Sequence, residues 1–382
     1  MAASPRAQSK QQRRALIRRQ RALGRRDGLK GGYEHGYWFG QCESVLSRIP
    51  QPTDVWPIHV MFVATSKGFP YSPIDAALAD TLAGMTRQLT VTNDSEPVAM
   101  IAAQVRPDVV IVLDGLQMPL DQIDAIRALG IRTAIWFTDD PYYTDLTIGI
   151  APHYDDIFTL ELSCVDFYRA LGCANVHYLP LGFHPAEFRP RNPPADKRRE
   201  ISFVGSAYWK RAEFFDQTAD YLASRDTLIS GIWWERLKNF DKLKGKIALG
   251  AWMGPLDTAA VYNGAKIAIN MHRAHDDHSF NNNSAGIPAL SPNPRTFEIA
   301  ACATLQLTDE RADLASFFTP GLEIVTYASP QEMIEKIEYY LTHEVERREI
   351  AMRGMRRAMI EHTYARRIER MFQLLFQPAV QQ

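Results

Sequence analysis

A chain of 382 residues exceeds one ordinary hydrophobic core and suits two domains. Hydrophobic residues make up 46% and charged residues 23%, which excludes a disordered or collagen-like chain. The net charge of −1 hides an asymmetry: residues 1–30 hold ten Lys or Arg and one acid, +9 in all, so the remainder carries −10.

Residues 1–54 read as a basic N-terminal extension. No apolar segment follows its charges, so it is not expected to be a secretory signal. A basic helix is expected around Gln11 to Leu23, after a disordered start. Gly24, Gly28, Gly32, Gly36 and Gly40 then recur every four residues. Each costs about 1 kcal/mol in a helix, so close packing of another backbone is expected to compensate. Trp38, Cys42, Val45 and Ile49 give residues 32–49 an apolar stripe that would dock on the body of the chain, a second copy or another protein. Cys42, Cys164, Cys173 and Cys302 show no zinc or C-x-x-C spacing, which fits a reduced, cytoplasmic setting. No apolar run reaches eighteen residues, so no transmembrane segment is expected; peripheral attachment through the basic arm is.

Residues 55–185 alternate strand and helix patterns. Strands are expected at 58–65, 89–92, 109–114, 133–138, 156–160 and 176–180, with helices at 73–85, 97–104, 120–129 and 164–171. That alternation predicts a parallel, doubly wound sheet, with ligands beyond the carboxyl ends of its strands. Those ends offer Lys67 and Gly68 in one loop and the adjacent carboxylates Asp139 and Asp140 in another. Two carboxylates there can orient acceptor hydroxyls or remove a proton. The proline-rich segment 179–194 marks the domain boundary.

The second unit, 186–361, repeats the alternation. Strands are expected at 201–205, 227–232, 267–271, 304–308 and 323–327. Helices are expected at 208–223, 256–264, 294–302, 330–343 and 344–361, and an amphipathic segment, 362–382, closes the chain. Gly205 and Ser206 end a strand where backbone can approach a phosphate. Lys210 and Arg211 follow in the first helical turn, where cations oppose the helix dipole and an anion explains them better. Asn270 and His272 lie on the same rim. His272, His275, Asp276, Asp277 and His278 invite a metal reading, but the spacing fits no recognised site and no metal is expected. Residues 279–284 read as a mobile lid. In Ser291-Pro-Asn-Pro-Arg-Thr-Phe-Glu298, Asn293 reads as an N-cap and Pro294 as the first helical residue. Arg295 and Glu298 share a helix face, a cation for phosphate and an acid for a sugar diol.

This last stretch, with Leu307-Thr-Asp309 and Phe317-Phe-x-Pro-Gly321, resembles the C-terminal half of the spore-maturation CgeB-like glycosyltransferases, which is similar to the glycosyl transferases of group 1. The resemblance implies a GT-B fold: two Rossmann-like domains facing across a cleft, the acceptor domain first and the nucleotide-sugar donor domain second. It implies that the last helix crosses back to the first domain. Glu298 matches the acid that holds the donor ribose. Gly205, Ser206, Lys210, Arg211, Asn270, His272, Arg295 and Thr296 would complete the donor site, with Lys67 and Gly68 on the acceptor side. The wider group often has another Glu eight positions before that acid; this sequence has Leu290. Trp136-Phe-Thr-Asp-Asp-Pro141 matches a pattern of the family's first half. The implied activity is hexosyl-type transfer from a nucleotide sugar, such as a UDP-sugar, to a glycan or protein acceptor. No cofactor is expected beyond the donor substrate, and no nucleic acid partner. Two alternatives stay open: a sugar-nucleotide epimerase on the same fold, and a non-catalytic surface or spore assembly protein.

Overall fold

The computed structural model describes residues 5–376, apart from 53 and 251. The ends of the N-terminal extension (1–4) and of the closing segment (377–382) lie outside the described residues.

Two six-stranded parallel sheets form the body. The first holds β1 (Trp56–Ala64), β2 (Thr86–Asn93), β3 (Val109–Leu113), β4 (Arg132–Phe137), β5 (Asp156–Thr159) and β6 (Asn175–Tyr178), in the order β2-β1-β3-β4-β5-β6. The second holds β7 (Arg199–Val204), β8 (Thr227–Gly231), β9 (Ile247–Leu249), β10 (Ala265–Asn270), β11 (Leu305–Asp309) and β12 (Val325–Tyr327), in the order β12-β11-β10-β7-β8-β9. Helices cover both faces, so central strands such as β3 are buried at every residue and read as unbroken apolar runs. Each order reverses direction once, between β1 and β3 and between β7 and β10. The crevices at these two points hold the candidate site residues of each half.

Three local readings differ from the structure. Strand β9 has only three residues and is flanked by Lys and Gly, too little pattern to detect. The segment 208–223 is two helices, Trp209–Gln217 and Ala219–Ser224, because Thr218 leaves helical geometry and turns its hydroxyl onto the Phe214 and Phe215 carbonyls. The N-terminal extension is one helix, Pro5–Leu46. A Cβ added to any of its six glycines would touch nothing within 4 Å, so the expected backbone approach is not made within this chain.

Trp38 and Cys42 of that helix are buried in one core with Phe297 and Ile299 of the helix Pro294–Ala301 and Ala351 and Met355 of the helix Glu344–Glu361. The final helix, Tyr364–Phe376, lays Ile368, Met371, Phe372 and Leu375 on Ile58, Val60 and Phe62 of the first sheet. The chain reaches it past Gly182, where any Cβ would collide with the His362 carbonyl. Glycine at that crossing lets the linker and the returning segment touch backbone to backbone.

Candidate active site

The β7 strand ends at Gly205, and the absence of a Cβ there shapes the crevice. A Cβ would fall on Arg295 Nη1 and come 3.3 Å from Arg211 Nη1. Two guanidinium groups therefore close on one stretch of backbone. Arg211 is 3% exposed and donates from Nη1 to the Ser206 carbonyl at 3.0 Å. Arg295 donates to the Val204 carbonyl at 3.1 Å and the Met271 carbonyl at 3.5 Å. Neither pairs with a carboxylate among the described residues. Burial first, and Arg295 next, pull Arg211 down to about 9. Two adjacent cations in a low-dielectric crevice, neither in a salt bridge, can hold an anion.

The helix that carries Arg295 is fixed at its start. Asn293 accepts from the Thr296 amide at 3.1 Å, and Pro294 occupies the first turn. Asn270, at the end of β10, exchanges hydrogen bonds with Asn293 at 3.1 and 3.0 Å and reaches the Thr296 hydroxyl at 3.1 Å. Asn270 and Thr296, expected to touch the donor, instead have their side chains spent on this cap. One turn on, Glu298 faces a hollow of ≈ 240 Å³ lined by Arg295, Gly205, Tyr262, Trp252 and Met253, with Phe69 and Pro70 from the first half. The carboxylate makes no hydrogen bond to the described residues. Burial, only partly offset by Arg295, pushes it up to about 7, and Glu187 adds to the rise. An adjoining hollow of ≈ 230 Å³ is lined by Arg211, Arg273, Tyr208 and His272, with Asp139 and Tyr142 from the first half. The two hollows share Gly205, Ser206, Trp252 and Arg295.

Adjacent residues on a helix lie about 100° apart, and Arg211 and Lys210 take different directions here. Lys210 was expected in the donor site; its Nζ instead meets Asp276 at 2.6 Å on the surface. His272 is buried, with Nδ1 2.5 Å from Asp309. Burial pulls its pKa down, and Asp309 opposes the fall. The segment read as a mobile lid is tied across the cleft. Ser284 donates to Asp145, Asn283 accepts from Thr144, and the Asn282 amide donates to the Tyr142 carbonyl. Among the described residues no three His, Cys, Asp or Glu side chains gather as a metal site.

In the first half, the two adjacent aspartates separate. Asp139 is half-buried, accepts from the Tyr71 hydroxyl at 2.8 Å, and lines the second hollow. Burial and then Asp114 raise its pKa. Asp140 is 1% exposed, and its two oxygens accept from Thr159 at 2.6 Å and Tyr168 at 2.8 Å. Burial pushes it up to about 7. It lines the second hollow as well, while each of its oxygens already takes one hydrogen bond that braces the strand ends. Lys67, expected on the acceptor side, is spent on an ion pair with Asp114 and lies 4.6 Å over the Tyr71 ring. Gly68 turns the chain and lines neither hollow.

A family model described as glycosyl transferase-like matches residues 209–373. Spore protein CgeB of Bacillus subtilis (strain 168) is 26% identical over 307 residues, covering 80% of this chain and 95% of that protein. The chain is thus similar to CgeB along most of its length and to glycosyl transferase-like proteins in its second half. The GT-B fold is also that of Anabaena Alr3699/HepE, solved in complex with UDP and glucose, at TM-score 0.58 and 8% identity over 83% of this chain and 99% of that one. A Listeria monocytogenes protein assigned as a UDP-N-acetylglucosamine 2-epimerase matches at TM-score 0.53 and 11% identity over 84% and 97%.

In this CgeB-like chain two residues of the cleft went unread in the sequence. Arg273 is 7% exposed and stacks 4.5 Å over Tyr142 and 4.6 Å over Tyr208; its place directly after Asn270-Met-His272 was the available signal. Glu161, 1% exposed after β5, accepts from the Leu290 amide at 3.0 Å and the Ser291 amide at 3.1 Å. A carboxylate from the first half thus stands beside Leu290, where the wider group often carries its own Glu. A lone acid after a strand gave no hint of this partner 129 residues away. No helix among the described residues is long and apolar enough to cross a membrane.

Proposed function

We propose that the cleft transfers a hexosyl-type sugar from a nucleoside-diphosphate sugar to a glycan or protein acceptor without a metal. The observation that carries this is the grouping around Gly205: buried Arg211 and half-buried Arg295, neither paired with a carboxylate among the described residues, beside the carboxylate of Glu298. In this reading the Glu298 hollow takes the nucleoside, with the acid accepting two hydrogen bonds from the ribose diol. Arg211 and Arg295 take the diphosphate. Negative charge grows on the diphosphate as the sugar bond breaks, so groups fixed there act most in the transition state. Their two positive charges supply what a divalent ion would otherwise provide. Asp139 faces the second hollow from the first half and serves the acceptor hydroxyl as hydrogen-bond acceptor or base.

The epimerase likeness supports a second reading, in which the same donor site reshapes the sugar without an acceptor. A panel of nucleoside diphosphates and their sugars, read by thermal shift, tests the donor site. Product analysis with and without acceptor then separates transfer from epimerisation. Full turnover after chelation supports metal independence; activity restored only by added metal removes it.

A further inference from the structure

The crevice of the first sheet holds two aspartates joined by one hydroxyl. Past β1 the chain bends at Ser66, φ 53°, and past β3 at Asp114, φ 64°. Residues other than glycine seldom adopt this left-handed region, and they gather where a site demands it. Beside these bends Lys67 and Asp114 form an ion pair, with Asp114 only 2% exposed. The Thr138 hydroxyl lies 2.8 Å from Asp114 Oδ1 and 3.2 Å from Asp139 Oδ2. It has one proton, so it serves one carboxylate at a time. The Tyr71 hydroxyl donates to the same Asp139 oxygen at 2.8 Å, and Lys67 Nζ stands 4.6 Å from the centre of the Tyr71 ring. The other Asp139 oxygen has no partner among the described residues, and Asp139 lines the second hollow.

Two carboxylates this close resist being ionised together, and such a pair holds on to one proton. A cation against either of them opposes that. Lys67 does so at Asp114, and over the ring it makes Tyr71 a stronger donor to Asp139. The charged and titratable groups facing Asp139 are Asp114, Lys67 and Tyr71, its neighbours Asp140 and Tyr143, and Arg273 from the second half. Burial and then Asp114 push Asp139 up; Tyr71, Lys67 and Arg273 hold it down. Asp114 therefore makes Asp139 a stronger base, and Lys67 keeps it from holding a proton at rest.

We propose that Lys67 is a positioning residue, whose charge lets Asp114 and Asp139 be ionised together and leaves the open Asp139 oxygen to take the proton of an acceptor hydroxyl. The acceptor oxygen bonds to the sugar carbon as the bond to the diphosphate breaks, and the proton rests on Asp139 until solvent removes it. This rests on the assignment of Asp139 to the acceptor. The test is a pH titration of the full chain by carbon NMR with carboxyl-labelled aspartate, the two signals assigned by their loss in Asp139→Asn and Asp114→Asn. Lys67→Met should raise the upper midpoint of the pair by at least about one pH unit, and Asp114→Asn should lower that of Asp139 by about as much. Lys67→Arg keeps the charge and should titrate as the native chain does. The variant with both Lys67→Met and Asp114→Asn should fall between the two single ones. It buries no unpaired charge, so where Lys67→Met alone does not fold, the rise is read from Asp114→Asn to this double variant. The acid limb of turnover should shift in the same directions. An unmoved midpoint in Lys67→Met, or single variants that shift the same way, overturns the proposal. The titration needs no substrate, so the two readings fail separately: full turnover in Asp139→Asn removes the acceptor assignment, whereas lost turnover there with unmoved midpoints removes the role of Lys67 alone.

Discussion

Replacing Glu298 with Gln should make the protein more stable and worse at binding, and the two effects should follow pH differently. The carboxyl is raised by burial from 4.5 to about 7. A raised acid contributes its stability below its unfolded value near 4.5, and that contribution is lost as pH climbs through 7. The difference corresponds to about 3 kcal/mol of strain from the buried charge at pH 8, and close to none at pH 4.5. Glutamine removes the charge but buries an amide, which costs about 1 kcal/mol where unpaired. The net expectation is a gain of about 2 kcal/mol at pH 8, fading by pH 5, measured by urea denaturation with tryptophan fluorescence. Nucleoside diphosphate affinity should fall about 100-fold at pH 8, since two hydrogen bonds to a charged acceptor are weakened. In the native protein the same affinity should weaken below pH 7 as Glu298 takes up a proton. A variant no more stable at pH 8 than at pH 5, or one that binds nucleotide as the native protein does, refutes this reasoning.

Arg211→Met removes a buried, unpaired cation. It should leave folding intact by circular dichroism while weakening nucleoside diphosphate binding about 100-fold in calorimetry. Asp139→Asn should lower turnover at least about 100-fold with little change in nucleotide affinity. Asp140→Ala should instead cost about 2 kcal/mol of stability in thermal or urea unfolding, because Thr159 and Tyr168 lose a buried acceptor. Equal turnover losses in Asp139→Asn and Asp140→Asn would reverse the division of roles. Asp145→Ala cuts the bonds to Ser284, so amide exchange should rise across residues 280–286 with no change at β10.

The sequence by itself determined the two alternating units, the linker between them and the capped helix at Pro294. These follow from periodicities and caps that span a few residues, and such rules are local. For the same reason Arg295 and Glu298 could be placed on one helix face before any packing was known. Only the tertiary structure decided which of two neighbouring candidates faces the cleft. Arg211 turns in and Lys210 out; Asp139 and Asp140 both line the second hollow, but Asp140 is the more deeply buried and is held by Thr159 and Tyr168. Those outcomes depend on partners contributed by distant strands. Glu161 beside Leu290 and Arg273 between Tyr142 and Tyr208 were hidden for the same cause. A side chain at the end of a strand points wherever the neighbouring loop leaves room, and that loop belongs to another part of the chain.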